Sequence, residues 1–298
     1  MPSDTLELRD APIGDALTLH GARIALAETG SGEPVVALHC SASAGGQWRG
    51  LGGVLAGLGY RLVTPDLHGC GGSAPWPGKK PLQLGEEAGI VAEIARRLGR
   101  PVHVVGHSYG GAVALRAAID HPGAVASIAV YEPSLFHLLR QGNDADRRLF
   151  TEVAGLSAAA VRAATSGDWY GGMAAFIDYW NAPGTFKTMP EDRRAAFAAQ
   201  LPRVSMDFWA LFSEQTPLVD YTCMLSMPVL IVEGDQSPAP SRRICRLLGA
   251  ALPCMMLHTV PRAGHMGPVT HAETVNAVIA SFLEDVSRGS RRQYATSA

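Results

Sequence analysis

Val102-His103-Val104-Val105-Gly106-His107-Ser108-Tyr109-Gly110-Gly111-Ala112 joins two kinds of local pattern. The apolar, β-branched run Val102–Val105 predicts a buried strand. The Ala-rich segment Ala112–Ile119 predicts a helix that ends before His121-Pro122-Gly123. Between them stands the chain's single G-x-S-x-G. With 33 glycines in the chain, a chance match to that pattern is easy. The strand–turn–helix setting is what makes this match informative. A strand can pass straight into a helix only through a cramped turn, whose flanking positions have no room for a Cβ. The apex residue Ser108 then holds its hydroxyl at the carboxyl edge of the sheet, with a helix N-terminus behind it. Ser108 is the candidate nucleophile.

The same alternation extends in both directions. Leu17–His20 and Arg23–Glu28 predict an opening hairpin with His20-Gly21 near its turn. Strands are expected at Val35–His39, Arg61–Thr64, Val125–Tyr131, Val229–Glu233 and Met255–Val260. Helices are expected at Gln47–Leu58, Glu86–Leu98, Ser241–Leu248 and Ala272–Val286. Strands alternating with helices imply an α/β fold with a mostly parallel sheet and helices on both faces. Residues 134–221 break the rhythm with helical windows and no convincing strand. They read as a helical insertion after the sixth strand, between Tyr131 and Val229. Its aromatics Trp169, Tyr170, Phe176, Trp180 and Trp209 either pack the insertion onto the body or line a pocket beneath it. The expected organisation is therefore a core of residues 1–133 and 222–286, a helical cap of 134–221 and a loose polar tail of 287–298.

Composition narrows the function classes. In 298 residues, 25 Lys plus Arg face 27 Asp plus Glu, a balance that favours neither nucleic acid nor an anionic membrane surface. The start, Met1-Pro2-Ser3-Asp4-Thr5, lacks the basic and apolar character of a signal peptide. No apolar run approaches the roughly 18 residues of a membrane span. The cysteines Cys40, Cys70, Cys223, Cys245 and Cys254 are scattered and odd in number, which argues against a disulfide frame and a zinc site. Gly69-Cys70-Gly71-Gly72 lacks the Lys-Ser/Thr ending of a phosphate loop. The expectation is a cytoplasmic enzyme that acts on a small molecule without metal or organic cofactor.

A serine hydroxyl needs a base within hydrogen-bond reach. Of the ten histidines, His265 in Gly264-His265-Met266-Gly267 follows the last strand, so it lies at the same sheet edge as Ser108 and after it in the chain. His103 and His107 read as packing residues, and His39 and His68 as residues bordering the pocket that could position substrate.

Leu38-His39-Cys40-Ser41, Pro65-Asp66-Leu67-His68-Gly69-Cys70-Gly71-Gly72-Ser73, the turn at Ser108 and Gly264-His265-Met266 together resemble the α/β-hydrolase superfamily. The likeness is to its capped branch of esterases, C–C bond hydrolases and haloalkane dehalogenases, across nearly the whole chain. It implies an oxyanion hole made by the main-chain N–H groups of Ser41 and Tyr109. Cys40 stands where that family commonly has Gly. The family's haloalkane dehalogenases and epoxide hydrolases use Asp as nucleophile, so Ser108 argues against both chemistries.

The third triad member is open between two carboxylates. The family's G-x-x-D after the seventh strand appears here as Gly234-Asp235-Gln236-Ser237, with Asp235 two residues early. Glu132 ends the sixth strand in Tyr131-Glu132-Pro133, a position from which some capped relatives take their acid. An incomplete Ser–His dyad is the remaining alternative, and Asp66 reads as a structural loop residue. The expected chemistry is acyl transfer from a small or medium, largely apolar ester, thioester or lactone. The rivals are C–C bond hydrolysis or cofactor-free peroxidation on the same triad, and a ligand-binding role without turnover.

Overall fold

The computed structural model describes residues 13–252 and 255–295 of the chain. Its strands are β1 (Ala16–Leu19), β2 (Ala22–Gly30), β3 (Glu33–Leu38), β4 (Tyr60–Pro65), β5 (Val102–His107), β6 (Val125–Tyr131), β7 (Val229–Gly234) and β8 (Met255–Val260). They form one sheet in the order β1-β2-β4-β3-β5-β6-β7-β8. β1 and β4 both pair antiparallel with β2, and every later pairing is parallel. The hairpin turn places His20 and Gly21 at φ 53° and 81°. Two consecutive positive φ values are what a two-residue turn needs to match the twist of its strands.

The central strands are buried on both faces, and their residues divide by alternation. Val35, Ala37, Val105 and Val232 point to one side, onto Trp48 and Leu51 at the start of helix α1 (Arg49–Ala56) and onto Val275 and Phe282 of the last helix. Val36, Leu38, Val104 and Ile231 point to the other. There they meet helices α2 (Leu84–Leu98) and α3 (Tyr109–Asp120), the latter beginning directly after Ser108, three residues before its expected start.

Between β6 and β7 the regular elements are all helices: α4 (Phe136–Gln141), α5 (Asp144–Ser166), α6 (Trp169–Trp180), α7 (Thr185–Thr188), α8 (Glu191–Ala198), α9 (Leu201–Ser213) and α10 (Leu218–Met224). Then follow α11 (Ala239–Ala251), α12 (Gly267–Thr270) and α13 (Ala272–Ala295). This last helix corrects the expected tail. It does not stop at Val286 but runs through most of residues 287–298, of which 296–298 lie outside the described residues. Two contacts support the extension: Ser287 Oγ meets Tyr60 Oη at 2.9 Å, and Arg288 pairs with Asp285 one turn earlier. No described helix is long and apolar enough to cross a membrane.

Candidate active site

Ser108 is the apex of a turn with no spare volume. Its own φ is 55° and ψ −114°, a combination a non-glycine residue adopts only when its surroundings impose it. Two main-chain bonds impose it here: Ser108 N–H donates to Tyr131 O at 3.0 Å, and Ser134 N–H donates to Ser108 O at 3.1 Å. A Cβ on Gly106 would lie 2.5 Å from Gly110 O, and one on Gly110 would lie 2.4 Å from Leu38 O. Both glycines are therefore required by contact.

His265 stands beyond β8 with its ring between two partners. Its Nε2 is 2.9 Å from Ser108 Oγ, and its Nδ1 is 2.7 Å from Glu132 Oε2. Glu132 is 1% exposed, and its other oxygen, Oε1, accepts the Gly234 N–H at 2.8 Å. The backbone of Glu132 is itself unusual, with φ 45° at the end of β6. Its N–H donates to Val232 O at 3.0 Å, which carries the β6–β7 ladder one residue further and turns the side chain toward His265.

Asp235 is not part of this cluster. It sits in the turn after β7, where its Oδ1 accepts the Arg262 N–H at 2.7 Å. That bond clamps the turn against the chain leaving β8, and it leaves the carboxylate spent on a main-chain donor. The structure thus brings Ser108, His265 and Glu132 together and leaves Asp235 apart.

Two other histidines also lie elsewhere than expected. His39 is buried behind the pocket, with Nδ1 on Cys40 O at 2.8 Å and Nε2 accepting the Leu67 N–H at 3.0 Å. His68 is buried against Glu87, Nδ1 to Oε2 at 2.8 Å. Neither lines the cavity above Ser108. Both were expected there because they flank its loops, but each ring turns inward to satisfy buried polar groups. Asp66 holds its loop through Gly45 N–H at 2.7 Å and Gly72 N–H at 2.8 Å.

His107 does more than pack. Cys40 N–H donates to Gln47 Oε1 at 3.1 Å, and the Gln47 amide is 3.0 Å from His107 Nδ1. His107 Nε2 reaches His265 O at 2.8 Å. With the amide as donor, His107 accepts at Nδ1 and donates from Nε2, so one chain of bonds spans the β3 loop, the Ser108 turn and the His265 loop. Burial holds the His107 pKa well below the ordinary histidine value, which keeps the ring neutral in that role.

The cavity over Ser108 has a volume of about 190 Å³. Its floor includes Ser41, Ser108 and His265, and its roof Phe176, Trp180 and Met189 from the helical insertion. The Trp180 ring lies over His265 with centroids 4.3 Å apart. Of the five aromatics singled out in the insertion, Phe176 and Trp180 line this cavity, whereas Trp169, Tyr170 and Trp209 face solvent at 40%, 42% and 55% exposure. Ser41 lies beside Ser108, and Tyr109, as the first residue of α3, has an amide with no carbonyl behind it in the helix. Cys40 is buried, and desolvation pushes its thiol up to about 12, so it offers no thiolate beside Ser108. Among the described residues no group of His, Cys, Asp and Glu could hold a metal ion.

Two polar residues of the site carried no clear signal in the sequence. Ser134 places its Oγ 3.1 Å from Ser108 Oγ. Asp207 comes from α9 in the helical insertion, about a hundred residues further along the chain. Its one hint was a lone acid in the apolar window Met206-Asp207-Phe208-Trp209.

A sheet with this strand order, a serine at a strained strand-to-helix turn and a histidine after the last strand define a hydrolase-type scaffold. A family model described as alpha/beta hydrolase fold matches residues 33–272, and the chain belongs to that family. An AB hydrolase superfamily protein of Gibberella zeae is 32% identical over 112 residues, 35% of this chain and 39% of that protein. A 2-hydroxy-6-oxo-6-phenylhexa-2,4-dienoate hydrolase of Burkholderia cepacia is 32% identical over 121 residues, 37% of this chain and 40% of that protein. The matches thus span well under half the length of these curated relatives. An esterase from Exiguobacterium antarcticum superposes with a TM-score of 0.73 at 19% identity, over 91% of this chain and 100% of that one, a likeness of fold.

Proposed function

We propose that the protein is a serine hydrolase that passes the acyl group of a small or medium, largely apolar ester, thioester or lactone to water through an acyl-enzyme on Ser108. One observation carries this reading: both nitrogens of the His265 ring are engaged at once, Nε2 to Ser108 Oγ at 2.9 Å and Nδ1 to Glu132 Oε2 at 2.7 Å. A carboxylate on Nδ1 holds the proton there and turns the lone pair of Nε2 to the serine hydroxyl. As Oγ attacks the carbonyl carbon, its proton moves to Nε2, and the imidazolium is stabilised by Glu132. The Gly234 amide keeps the carboxylate from swinging away. The carbonyl oxygen gains its negative charge facing the amides of Ser41 and Tyr109. Loss of one such donor typically costs on the order of 100- to 1,000-fold in rate. The imidazolium then protonates the leaving group, and His265 takes a proton from the water that cleaves the acyl-enzyme.

The substrate class follows from the roof of Phe176, Trp180 and Met189, which suits an apolar chain. C–C bond hydrolysis of a vinylogous diketone is the second reading, favoured by the Burkholderia cepacia relative. A panel of phenyl esters and such a diketone separates the two. The primary test is labelling by a fluorophosphonate probe, expected in the native protein and lost in Ser108→Ala. No labelling of the native protein, or labelling that survives the substitution, overturns the proposal.

A further inference from the structure

Beneath Phe176 and Trp180 the cavity continues into a nook of about 10 Å³, whose polar lining is Ser41, Ser108, Ser134 and Asp207. That is the space of roughly one water-sized group, so it takes a hydroxyl and not a chain. Asp207 is 2% exposed. Burial pushes its carboxyl up to about 6, against which Arg203, with Nη1 2.5 Å from Oδ1, and the Ser41 hydroxyl favour the charged form. Yet neither carboxyl oxygen completes an aligned hydrogen bond. Arg203 also has a partner in Glu87, Nη2 to Oε1 at 2.8 Å, so Asp207 is not its only counter-charge.

We propose that Asp207 makes this nook a hydroxyl-binding site, and that the preferred substrates carry a neutral hydroxyl on the first or second acyl carbon beyond the scissile carbonyl. The inference rests on the acyl-transfer reading of Ser108. A buried carboxylate with an open acceptor bears a desolvation cost that a donor from the ligand recovers. Which donor is decided by the neighbours. A substrate carboxylate would face the charge of Asp207 across the nook. An ammonium would have to leave water for a nook otherwise walled by Phe136, Phe176, Trp180, Phe208 and Leu211, where the charge of Asp207 is already met by Arg203. A neutral O–H carries neither cost and gains a charge-assisted bond. Because Ser108 and Ser134 line the same nook, the group it holds lies within a carbon or two of the reacting carbonyl. Specificity of this kind is strong because an analogue that lacks the hydroxyl leaves the buried acceptor unpaired.

The test is the ratio of kcat/KM for two matched pairs of p-nitrophenyl esters, 3-hydroxybutyrate against butyrate and lactate against propionate. The ratio is taken on one preparation, so loss of folded protein cancels from it. The native enzyme is expected to favour the hydroxylated ester by about tenfold or more in at least one pair. Asp207→Ala should bring that ratio close to one, and Asp207→Asn, which keeps one amide acceptor, should lower it by a smaller factor. A native ratio near one in both pairs, or a ratio unmoved in Asp207→Ala, overturns the inference. Turnover of the plain esters with probe labelling of Ser108 shows that acyl transfer still stands in that case. Without turnover or labelling, both readings fall together.

Discussion

Glu132 is the residue on which the proposed chemistry turns. It has a positive φ, which no sequence pattern announces, and that conformation is held by main-chain bonds to two strands. The side chain can then lie against His265 while its second oxygen stays on Gly234. Glu132→Gln preserves this shape but presents an amide to Nδ1, so the ring loses its tautomer. The turnover number is expected to fall at least about 100-fold, with an unchanged circular dichroism spectrum. Asp235→Asn, at a carboxylate bonded to the Arg262 amide, is expected to stay within about threefold of native turnover while lowering stability by about 1 kcal/mol. Steady-state kinetics on the two variants decides between the carboxylates, and the reverse outcome would sink the Glu132 assignment.

The elements around the site are joined at contacts too close to relax. α3 passes so near the end of β3 that a Cβ at Gly110 meets the carbonyls of Leu38 and His39 at 2.4 and 2.5 Å. Gly110→Ala should therefore displace the loop that carries Ser41. A loss of about 2 kcal/mol or more in urea unfolding is expected, together with slower turnover. Native stability in that variant would mean that the turn is looser than drawn. The helical insertion is tied down differently, by Arg203 of α9 between Asp207 and Glu87 of α2. Arg203→Met leaves the buried Asp207 without its cation and Glu87 with His68 alone, an imbalance that typically costs 3–5 kcal/mol. Equilibrium unfolding should show a loss of about that size, and a loss below about 1 kcal/mol would rule out a structural role for the pair.

Across the whole molecule, histidines set the acid limit. Burial lowers the pKa values of His39, His103, His107 and His137, the last to about 4. In the unfolded chain each takes a proton near pH 6.5, whereas in the folded protein each stays neutral to a lower pH. Their contribution is therefore complete above pH 6.5 and declines as pH falls below it, by about 1.4 kcal/mol per pH unit for each ring that remains neutral. Urea unfolding at pH 7, 6 and 5 should show a steep decline of several kcal/mol. A flat profile would contradict the burial of these rings in the neutral form.

Local pattern alone established the strand–turn–helix at Ser108, the parallel alternation and the helical break after Tyr131, because each depends on neighbours in the chain. Hydrophobic periodicity and the glycines around Ser108 are local quantities. His265 was placed by chain order, and its approach to Ser108 is made by the loop that returns from β8, three strands away from β5 in the sheet. What only the tertiary structure decided was which carboxylate faces His265. Asp235 and Glu132 both end strands at the reactive edge, and the choice rests on the φ of one residue and one bond to the β8 turn. Ser134 and, but for one lone acid in an apolar window, Asp207 carried no such signal, since their place beside Ser108 comes from packing an insertion over a sheet edge. His39 and His68 border the site in sequence yet turn inward in space, where buried main-chain and acidic partners must be met.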